Sequence, residues 1–277
     1  MFTLNCKGKL LVIDKPIVMG IINVTPDSFY AQSSQQKLDV ILQKASQMLA
    51  EGATILDIGG QTTKPGSTEV GIAEECSRVL PVIAGIKAVF PECYISIDTY
   101  HAAVAKAAVK AGACIVNDVS GGAMDPAMLP TMSALKVPYI CMHMQGTPQT
   151  MQQNPTYQQV TKDVLDFFIA RIEACRLAGI HDVIIDIGFG FGKTIAHNFE
   201  LIKEMAAFKM LGKPILAGLS RKSTIYKTLG TTANDALNGT TVLNTIALLN
   251  GANILRVHDV KEAVEAITLV EKMRTNN

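Results

Sequence analysis

Polar side chains follow short apolar runs at eight places along this 277-residue chain. An apolar run that ends in turn residues is typical of a buried strand. Because the carboxyl ends of parallel strands meet on one side of a barrel, the side chains at these ends would share one cavity. The eight strand-end residues are Asn23, Asp57, Asp98, Asn117, His143, Asp186, Ser220 and His258.

These residue types favour recognition of a flat, polar heterocycle, because carboxylates and amides together offer hydrogen-bond donors and acceptors. Basic residues collect at the same strand ends, which indicates that the ligand also carries an anionic tail. Arg256 and His258 alternate on the last strand and can face the same side. Such a pair suits a phosphate or diphosphate, which barrels often bind near their last strands. The basic set is Lys64, Arg221, Lys222, Arg256 and His258.

Asp186 and Asp98 have a second interpretation as local caps, in which the carboxylate accepts hydrogen bonds from nearby backbone N–H groups. For Asp186 a functional role is favoured, because Lys222 leaves the next strand and the two side chains can meet across a cavity. The stretch GFGFGK between them fits neither the Rossmann nor the P-loop spacing. Its glycines indicate close approach of the backbone to a ligand, with Phe191 as an apolar wall or a core residue.

Helical spacing of apolar residues separates the strand-like runs, and this alternation predicts a parallel sheet. Eight such units favour an α/β fold of the (β/α)8 TIM barrel type over residues 17–277. An open doubly wound sheet is the alternative, and it is disfavoured because no GxGxxG opens a helix after the first strand. Residues 1–16 hold a Lys-Gly turn between two apolar pieces, which predicts a short N-terminal hairpin in the same single domain.

Composition and charge exclude several classes of protein. Hydrophobic residues make up 48% of the chain, and the net charge of +1 argues against a broad nucleic-acid-binding face. The six cysteines are scattered without a CxxC pair, which predicts free thiols in a reducing cytosol. The N-terminus lacks a signal-peptide pattern, and no apolar run approaches the length of a membrane span. We therefore expect a soluble, cytoplasmic protein with neither a membrane nor a nucleic-acid partner.

The sequence indicates a metal ion only as a partner of a phosphate-bearing substrate. No two histidines have the spacing of metal ligands, so a structural zinc site is not expected. A divalent ion would instead be Mg2+, held mainly by substrate phosphates and one or two protein oxygens.

The sequence closely resembles the dihydropteroate synthase family of the folate pathway. The resemblance implies a (β/α)8 barrel that forms a homodimer and uses Mg2+. It also implies a transferase that joins 6-hydroxymethyl-7,8-dihydropterin diphosphate to p-aminobenzoate and releases pyrophosphate. The segments that carry the resemblance, in the family's order and spacing, are MGIINVTPDSF, DIGGQTTKPG, ISIDT, IVND, MHMQGTP, IDIGFGFGK, LSRKS and ILRVHDV.

Position by position, the resemblance implies three groups of binding residues. The pterin group is Asp57, Asp98, Asn117, Asp186 and Lys222. The diphosphate group is Asn23, Arg256 and His258, with Asn23 also touching Mg2+. The p-aminobenzoate group is Phe29, Thr63, Lys64, Pro65, Phe191 and Ser220. The residues expected to be catalytic are Asp98, Asp186, Lys222 and Arg256.

Three positions depart from the family pattern. Lys64 stands where the family usually has Arg, which keeps the charge and loses the forked geometry. The loop after Phe29 reads YAQSS, and Ile187 replaces a common Pro.

Two other functions stay open: a pterin-dependent methyltransferase, which shares the barrel, and a catalytically silent pterin-binding paralogue. The segments TPDSF, SRKS and RVHD count against the methyltransferase, because such an enzyme does not need residues that bind a diphosphate.

Overall fold

The computed structural model describes residues 1–24, 34–61 and 70–275, which include a closed barrel of eight parallel strands. Each barrel strand pairs with the next one along the chain, and the last pairs with the first. The predicted (β/α)8 TIM barrel is therefore confirmed. Its strands are β3 (Ile17–Asn23), β4 (Ile55–Gly59), β5 (Tyr94–Asp98), β6 (Ile115–Asp118), β7 (Tyr139–Met142), β8 (Val183–Asp186), β9 (Ile215–Ala217) and β10 (Ile254–Val257).

Helices connect the strands and pack around the barrel. Apolar spacing did not predict the helices at Met128–Leu135 and Ser223–Leu229, because each helix is short and buries only two of its side chains. Helical spacing of apolar residues predicts one helix from about Asn198 to Lys209. The structure divides this segment, since one helix ends at Lys203 and a 3-10 helix covers Met205–Leu211. The helices are α1 (Ser34–Ala50), α2 (Ile72–Val89), α3 (Ala102–Ala111), α4 (Met128–Leu135), α5 (Val160–Leu177), α6 (Ile195–Lys203), α7 (Ser223–Leu229), α8 (Leu237–Leu249) and α9 (Val260–Thr275).

The predicted N-terminal hairpin consists of β1 (Phe2–Cys6) and β2 (Lys9–Ile13), which pair antiparallel. Its buried side chains join the apolar cluster formed by the first residues of the barrel strands. The hairpin therefore covers the amino-terminal end of the barrel. The division of the chain at residue 16 stays a prediction. The hairpin contributes Leu4, Cys6, Leu11 and Ile13 to this cluster, and the barrel contributes Met19, Ile55, Ile115, Ile140, Ile184, Leu216 and Ile254.

The six cysteines are free thiols, and four of them are buried, Cys114 and Cys141 among them. The scattered spacing of the cysteines had predicted free thiols. Across the three described ranges, every helix is too short or too polar to cross a membrane.

Candidate active site

Alternation along the strands decides which side chains face the inside of the barrel. Residues i and i+2 of a strand share a face. In four strands, an apolar residue of the barrel-end cluster is followed two positions later by a polar residue. The interior is therefore apolar near the hairpin and polar at the carboxyl ends of the strands. The four pairs are Ile55 and Asp57, Ile115 and Asn117, Ile184 and Asp186, and Ile254 and Arg256.

Arg256 links two carboxylates from neighbouring strands. Its Nε lies 2.6 Å from Asp57 Oδ2 and its Nη2 lies 2.6 Å from Asp98 Oδ2. Asn117 Nδ2 also donates to Asp57 Oδ2, at 3.1 Å. The second oxygen of Asp57 is buried and accepts no hydrogen bond from any residue in the described ranges. This oxygen is therefore an acceptor that a donor group on a bound ligand could satisfy.

A second carboxylate and a lysine face this cluster. Asp186 Oδ1 accepts a hydrogen bond from the backbone N–H of Gly188 at 2.8 Å. Lys222 donates from Nζ to the carbonyl oxygen of Phe189, and this Nζ lies 4.5 Å from the ring centroid of Phe191. A Cβ on Gly218 would lie 3.8 Å from Asp186 Oδ2, 3.9 Å from Lys222 Nζ and 4.0 Å from Arg256 Cβ. Asp186, Lys222 and Arg256 therefore meet around one point at the mouth.

Burial shifts the pKa values of Asp98, Asp186 and Lys222. It raises the pKa of Asp98 to about 7, although the nearby Arg256 guanidinium acts in the opposite direction. Burial also raises the pKa of Asp186, with Lys222 opposing it. It lowers the pKa of Lys222 to about 8, with Asp186 opposing it. The mouth therefore holds groups that exchange protons near neutral pH, as acid–base and binding sites commonly do.

Ser220 and His258 form a separate pair on the rim. Ser220 Oγ lies 3.0 Å from His258 Nδ1 and accepts a hydrogen bond from the backbone N–H of His258 at 3.1 Å. The sequence had placed these two residues in different groups, with p-aminobenzoate and with the diphosphate. Their hydrogen bonds instead join the segments that follow β9 and β10, so the two predicted groups adjoin here.

Asn23 is exposed at the end of β3, close to Asp98. A Cβ on Gly59 would lie 3.6 Å from Asn23 Oδ1 and 3.7 Å from Asp98 Oδ2. Phe191 is half-buried beside Lys222. Four other residues of the predicted p-aminobenzoate group lie outside the described residues: Phe29, Thr63, Lys64 and Pro65.

The glycine loop after β8 packs against protein backbone. A Cβ on Gly188, which has φ of 69°, would lie 1.9 Å from the carbonyl oxygen of His143. A Cβ on Gly192 would lie 2.4 Å from the carbonyl oxygen of Gln145. The sequence had indicated close approach to a ligand, whereas these two glycines permit close approach to the segment that follows β7.

Sequence reasoning missed Lys193, the last residue of GFGFGK. Its side chain is 2% exposed, and its Nζ lies 2.9 Å from His143 Nδ1. Burial and the adjacent Lys193 lower the pKa of His143 to about 2, so this imidazole is neutral. The only signal in the sequence is a lysine directly after a glycine-rich loop that follows a strand-end carboxylate.

A closed parallel barrel that gathers carboxylates, an amide and cationic side chains at the carboxyl ends of its strands has the arrangement of a TIM-barrel enzyme. The comparisons with known proteins narrow this class.

Residues 19–258 match the family described as pterin binding enzyme. The dihydropteroate synthase of Escherichia coli strain K12 is 42% identical over 270 residues, which cover 97% of this chain and 95% of that protein. The Yersinia pestis dihydropteroate synthase with a sulfonamide drug complex has a TM-score of 0.93 at 40% identity, covering 99% of this chain and 100% of that one. For Xanthomonas albilineans dihydropteroate synthase in complex with 7,8-dihydropteroate, the TM-score is 0.86 at 35% identity, with 98% of each chain covered. The chain belongs to the dihydropteroate synthase family of pterin-binding enzymes, which are transferases.

Proposed function

We infer that this protein condenses 6-hydroxymethyl-7,8-dihydropterin diphosphate with p-aminobenzoate, giving 7,8-dihydropteroate and pyrophosphate. The observation that carries this proposal is the arrangement of the mouth. Carboxylates, an amide and the Arg256 guanidinium lie together inside the barrel, and His258 is exposed at its rim. One substrate with a hydrogen-bonding ring and an anionic tail matches both halves of that cavity.

The pterin ring is proposed to bind among Asp57, Asp98, Asn117, Asp186 and Lys222. The ring offers N–H donors, and the carboxylates of Asp98 and Asp186 are acceptors held inside the barrel. The buried, unpaired oxygen of Asp57 supports a donor from the ligand at this depth. Lys222 supplies the complementary donor on the Asp186 side.

The diphosphate is proposed to bind toward Asn23, Arg256 and His258. A guanidinium carries five N–H donors, so Arg256 can hold its two carboxylates and still contact an anion. The described residues contain no group of three or more His, Cys, Asp or Glu side chains that could hold a metal by itself. The exposed amide oxygen of Asn23 fits a Mg2+ ion whose other ligands are phosphate oxygens and water. When bound there, Mg2+ would neutralise charge on the departing diphosphate.

The proposed reaction breaks the bond between the pterin methylene carbon and the diphosphate oxygen. The electron pair leaves with the diphosphate, where Arg256 stabilises the growing negative charge. The methylene carbon becomes cationic, and the conjugated pterin ring and the surrounding carboxylates stabilise it. The neutral amine of p-aminobenzoate then forms the new C–N bond and releases its proton. This route needs correct placement of the amine and no covalent enzyme nucleophile.

The p-aminobenzoate ring is proposed to bind beside Phe191 and Ser220, together with Phe29, Thr63, Lys64 and Pro65. Phe191 offers an apolar face directly next to Lys222, so the second substrate would lie against the pterin site. Ser220 reaches the same rim through its hydrogen bonds with His258.

The direct test is pyrophosphate release by the purified protein with the pterin diphosphate, p-aminobenzoate and Mg2+, omitting each in turn. We expect release that requires all three and yields 7,8-dihydropteroate. Tight pterin binding without turnover would identify the silent paralogue instead. Absence of pterin binding would overturn both functions, and turnover of a pterin without a diphosphate would favour the methyltransferase.

The reaction is expected to show a bell-shaped pH dependence. Burial places the pKa of Asp98 at about 7 and that of Lys222 at about 8. The ionised carboxylate is lost as pH falls below the first value, and the ammonium is lost as pH rises above the second. The profile of kcat/KM for the pterin diphosphate reports these groups in the free enzyme. Lys222→Arg should move the alkaline limb upward, and a profile that is flat across both pKa values would contradict the assignment.

We also propose that the protein is a cytoplasmic homodimer that associates through α8 and α9. Contiguous exposed apolar patches commonly mark protein interfaces. A surface cavity of about 590 Å3 lies between residues of these two helices. Sedimentation equilibrium of the wild type and of Leu269→Asp tests the interface. The proposed cytoplasmic location is supported separately by the free cysteines, which suit a reducing compartment. The exposed apolar side chains are Val242, Ile246, Leu249, Leu269 and Met273.

A further inference from the structure

The glycine loop after β8, residues 188–192, is held in shape by side chains. Every one of its five backbone carbonyl oxygens accepts a hydrogen bond from a side chain. Within the loop, the backbone N–H of Phe191 also donates to the carbonyl oxygen of Gly188 at 3.1 Å, which closes one turn. The loop belongs to no helix or strand, so the side-chain donors contribute much of what holds its shape. The donors, in loop order, are Lys193, Lys222, Gln152, Lys193 and Tyr157.

Lys193 is the only one of these donors that contacts two carbonyls of the loop. Its Nζ donates to the carbonyl oxygens of Gly188 at 2.9 Å and Phe191 at 3.0 Å. The third partner is His143 Nδ1 at 2.9 Å, at the end of the neighbouring strand. A longer fourth contact joins Nζ to the carbonyl oxygen of His143 at 3.4 Å. Burial lowers the pKa of Lys193 well below its usual value, with Asp186 opposing the shift, and the four acceptors around Nζ keep its N–H donors occupied. Because the side chain is 2% exposed, water cannot readily replace a lost partner.

The hydrogen bonds of Lys193, called the clamp below, hold the loop against the end of β7. Gly188 already lies so close to the carbonyl oxygen of His143 that no side chain fits there. Several carbonyl oxygens therefore converge on this point, and the buried amino group of Lys193 supplies the hydrogen-bond donors that they need. Asn198, which is 1% exposed, holds the far side of the loop by accepting from the backbone N–H of Gly190 at 2.8 Å.

The loop in turn sets the position of Lys222. The carbonyl oxygen of Phe189 accepts from Lys222 Nζ, and the ring of Phe191 lies 4.5 Å from the same atom. The backbone N–H of Gly188 donates to Asp186 Oδ1, so the loop also orients the carboxylate. Movement of the loop would displace both groups together.

We propose that Lys193 is a positioning residue, which clamps the glycine loop so that Lys222 and Asp186 are held ready for the pterin. It acts through the loop and touches neither substrate. The proposal rests on the pterin-binding role proposed for Lys222 and Asp186. His143 takes part in the same clamp, because Nδ1 of its neutral imidazole accepts a hydrogen bond from Lys193 Nζ.

The test replaces Lys193 with methionine, which keeps the length of the side chain and removes the donors. We expect kcat/KM for the pterin diphosphate to fall about 100-fold, because a small misplacement of a binding group has an effect of that size. Its KM should rise roughly tenfold, which corresponds to the loss of about one hydrogen bond that holds the loop. Hydrogen exchange of the backbone amides of Gly190 and Phe191 should become faster, with the barrel strands unchanged.

Two control variants on α6 separate positioning from general damage. Lys203→Met changes the same residue type at an exposed position, and Ile202→Val weakens the core without touching the loop. A merely structural effect would lower the melting temperature and the active fraction, as in Ile202→Val, and leave KM unchanged. Neither control should alter exchange in the loop.

A pair of substitutions at His143 covers the case in which Lys193→Met fails to fold. His143→Asn keeps an acceptor close to the position of Nδ1, whereas His143→Leu removes it. We expect His143→Asn to keep near wild-type KM and loop exchange, and His143→Leu to shift both in the direction expected for Lys193→Met. Equal behaviour of the two variants would overturn the role given to this contact.

Loop exchange and KM that stay at wild-type values in Lys193→Met would overturn the proposal while the enzyme remains active. Failure of the proposed function would look different, because the wild type would then lack p-aminobenzoate-dependent pyrophosphate release. Loop exchange in the variants would still report the clamp in that case.

Discussion

Replacing Lys222 with methionine is expected to lower kcat/KM for the pterin diphosphate by about 10³-fold, the upper range for loss of one preorganised donor. The variant removes the cation that lies beside Asp186 and that is held by the carbonyl oxygen of Phe189. Pterin binding weakens because a donor is lost. It weakens further because the pKa of Asp186 rises without its cation, so the carboxylate is less often ionised.

Steady-state kinetics and titration with the pterin alone measure the two effects separately. Lys227→Met is the matched control, because Lys227 lies on the same short helix, α7, and is exposed. It should leave both measurements unchanged. Wild-type kinetics in Lys222→Met would remove Lys222 from the site.

Replacing Arg256 with methionine is expected to destabilise the fold as well as abolish most turnover. Arg256 is paired with Asp57, whose side chain is 0% exposed, and with Asp98, whose side chain is 12% exposed. Removing one partner of a buried ion pair leaves uncompensated charge, which costs about 3 kcal/mol. Activity falls too, because the same guanidinium is proposed to stabilise the leaving diphosphate.

The loss of stability should depend on pH. Arg256 lowers the pKa of Asp98 in the wild type, so in the variant this pKa lies above its wild-type value of about 7. The folded variant then retains a proton that the wild type has released, and its free energy of unfolding falls faster as pH rises. The difference between the two proteins is therefore smallest in acid and grows through that pKa toward alkaline pH.

Urea unfolding midpoints on both sides of neutrality measure this trend. Arg176→Met is the control, because Arg176 forms only a surface pair with Glu173 and is 67% exposed. It should change the midpoint little at either pH. A difference for Arg256→Met that shrinks as pH rises would contradict the assigned pairing.

The architecture was predictable from the sequence because the strand signal repeats. Each strand is a buried apolar run that ends at a polar residue, and eight repeats leave few folds open. Helix α4 escaped prediction because it contains one buried i, i+4 pair, Met128 and Met132, which is too little for a periodicity. Helix α7, with seven residues, is shorter than two full turns.

The gathering of the polar strand-end residues at one end of the barrel was predictable from the sequence, and the contacts among them were much less so. Strand ends alone located Asp57, Asp98 and Arg256. Their pairing joins residues 158 and 199 positions apart, and it depends on closure of the ring between β10 and β3. Local spacing carries no information on such distances. Lys193 was missed for a related reason, since its acceptors are mostly backbone oxygens, which leave no mark on the sequence.

Among the described residues, the hairpin closes the amino-terminal end of the barrel and leaves the carboxyl end of the strands as the side from which a ligand can enter. Its side chains and the first residues of the strands fill that end with apolar groups that are at most 8% exposed. A pterin bound deep in the barrel would have to arrive before p-aminobenzoate, which would lie above it and block the way. The two substrates should therefore bind in a compulsory order, and excess p-aminobenzoate should inhibit the enzyme by occupying the mouth first. The product would leave through the same end of the barrel.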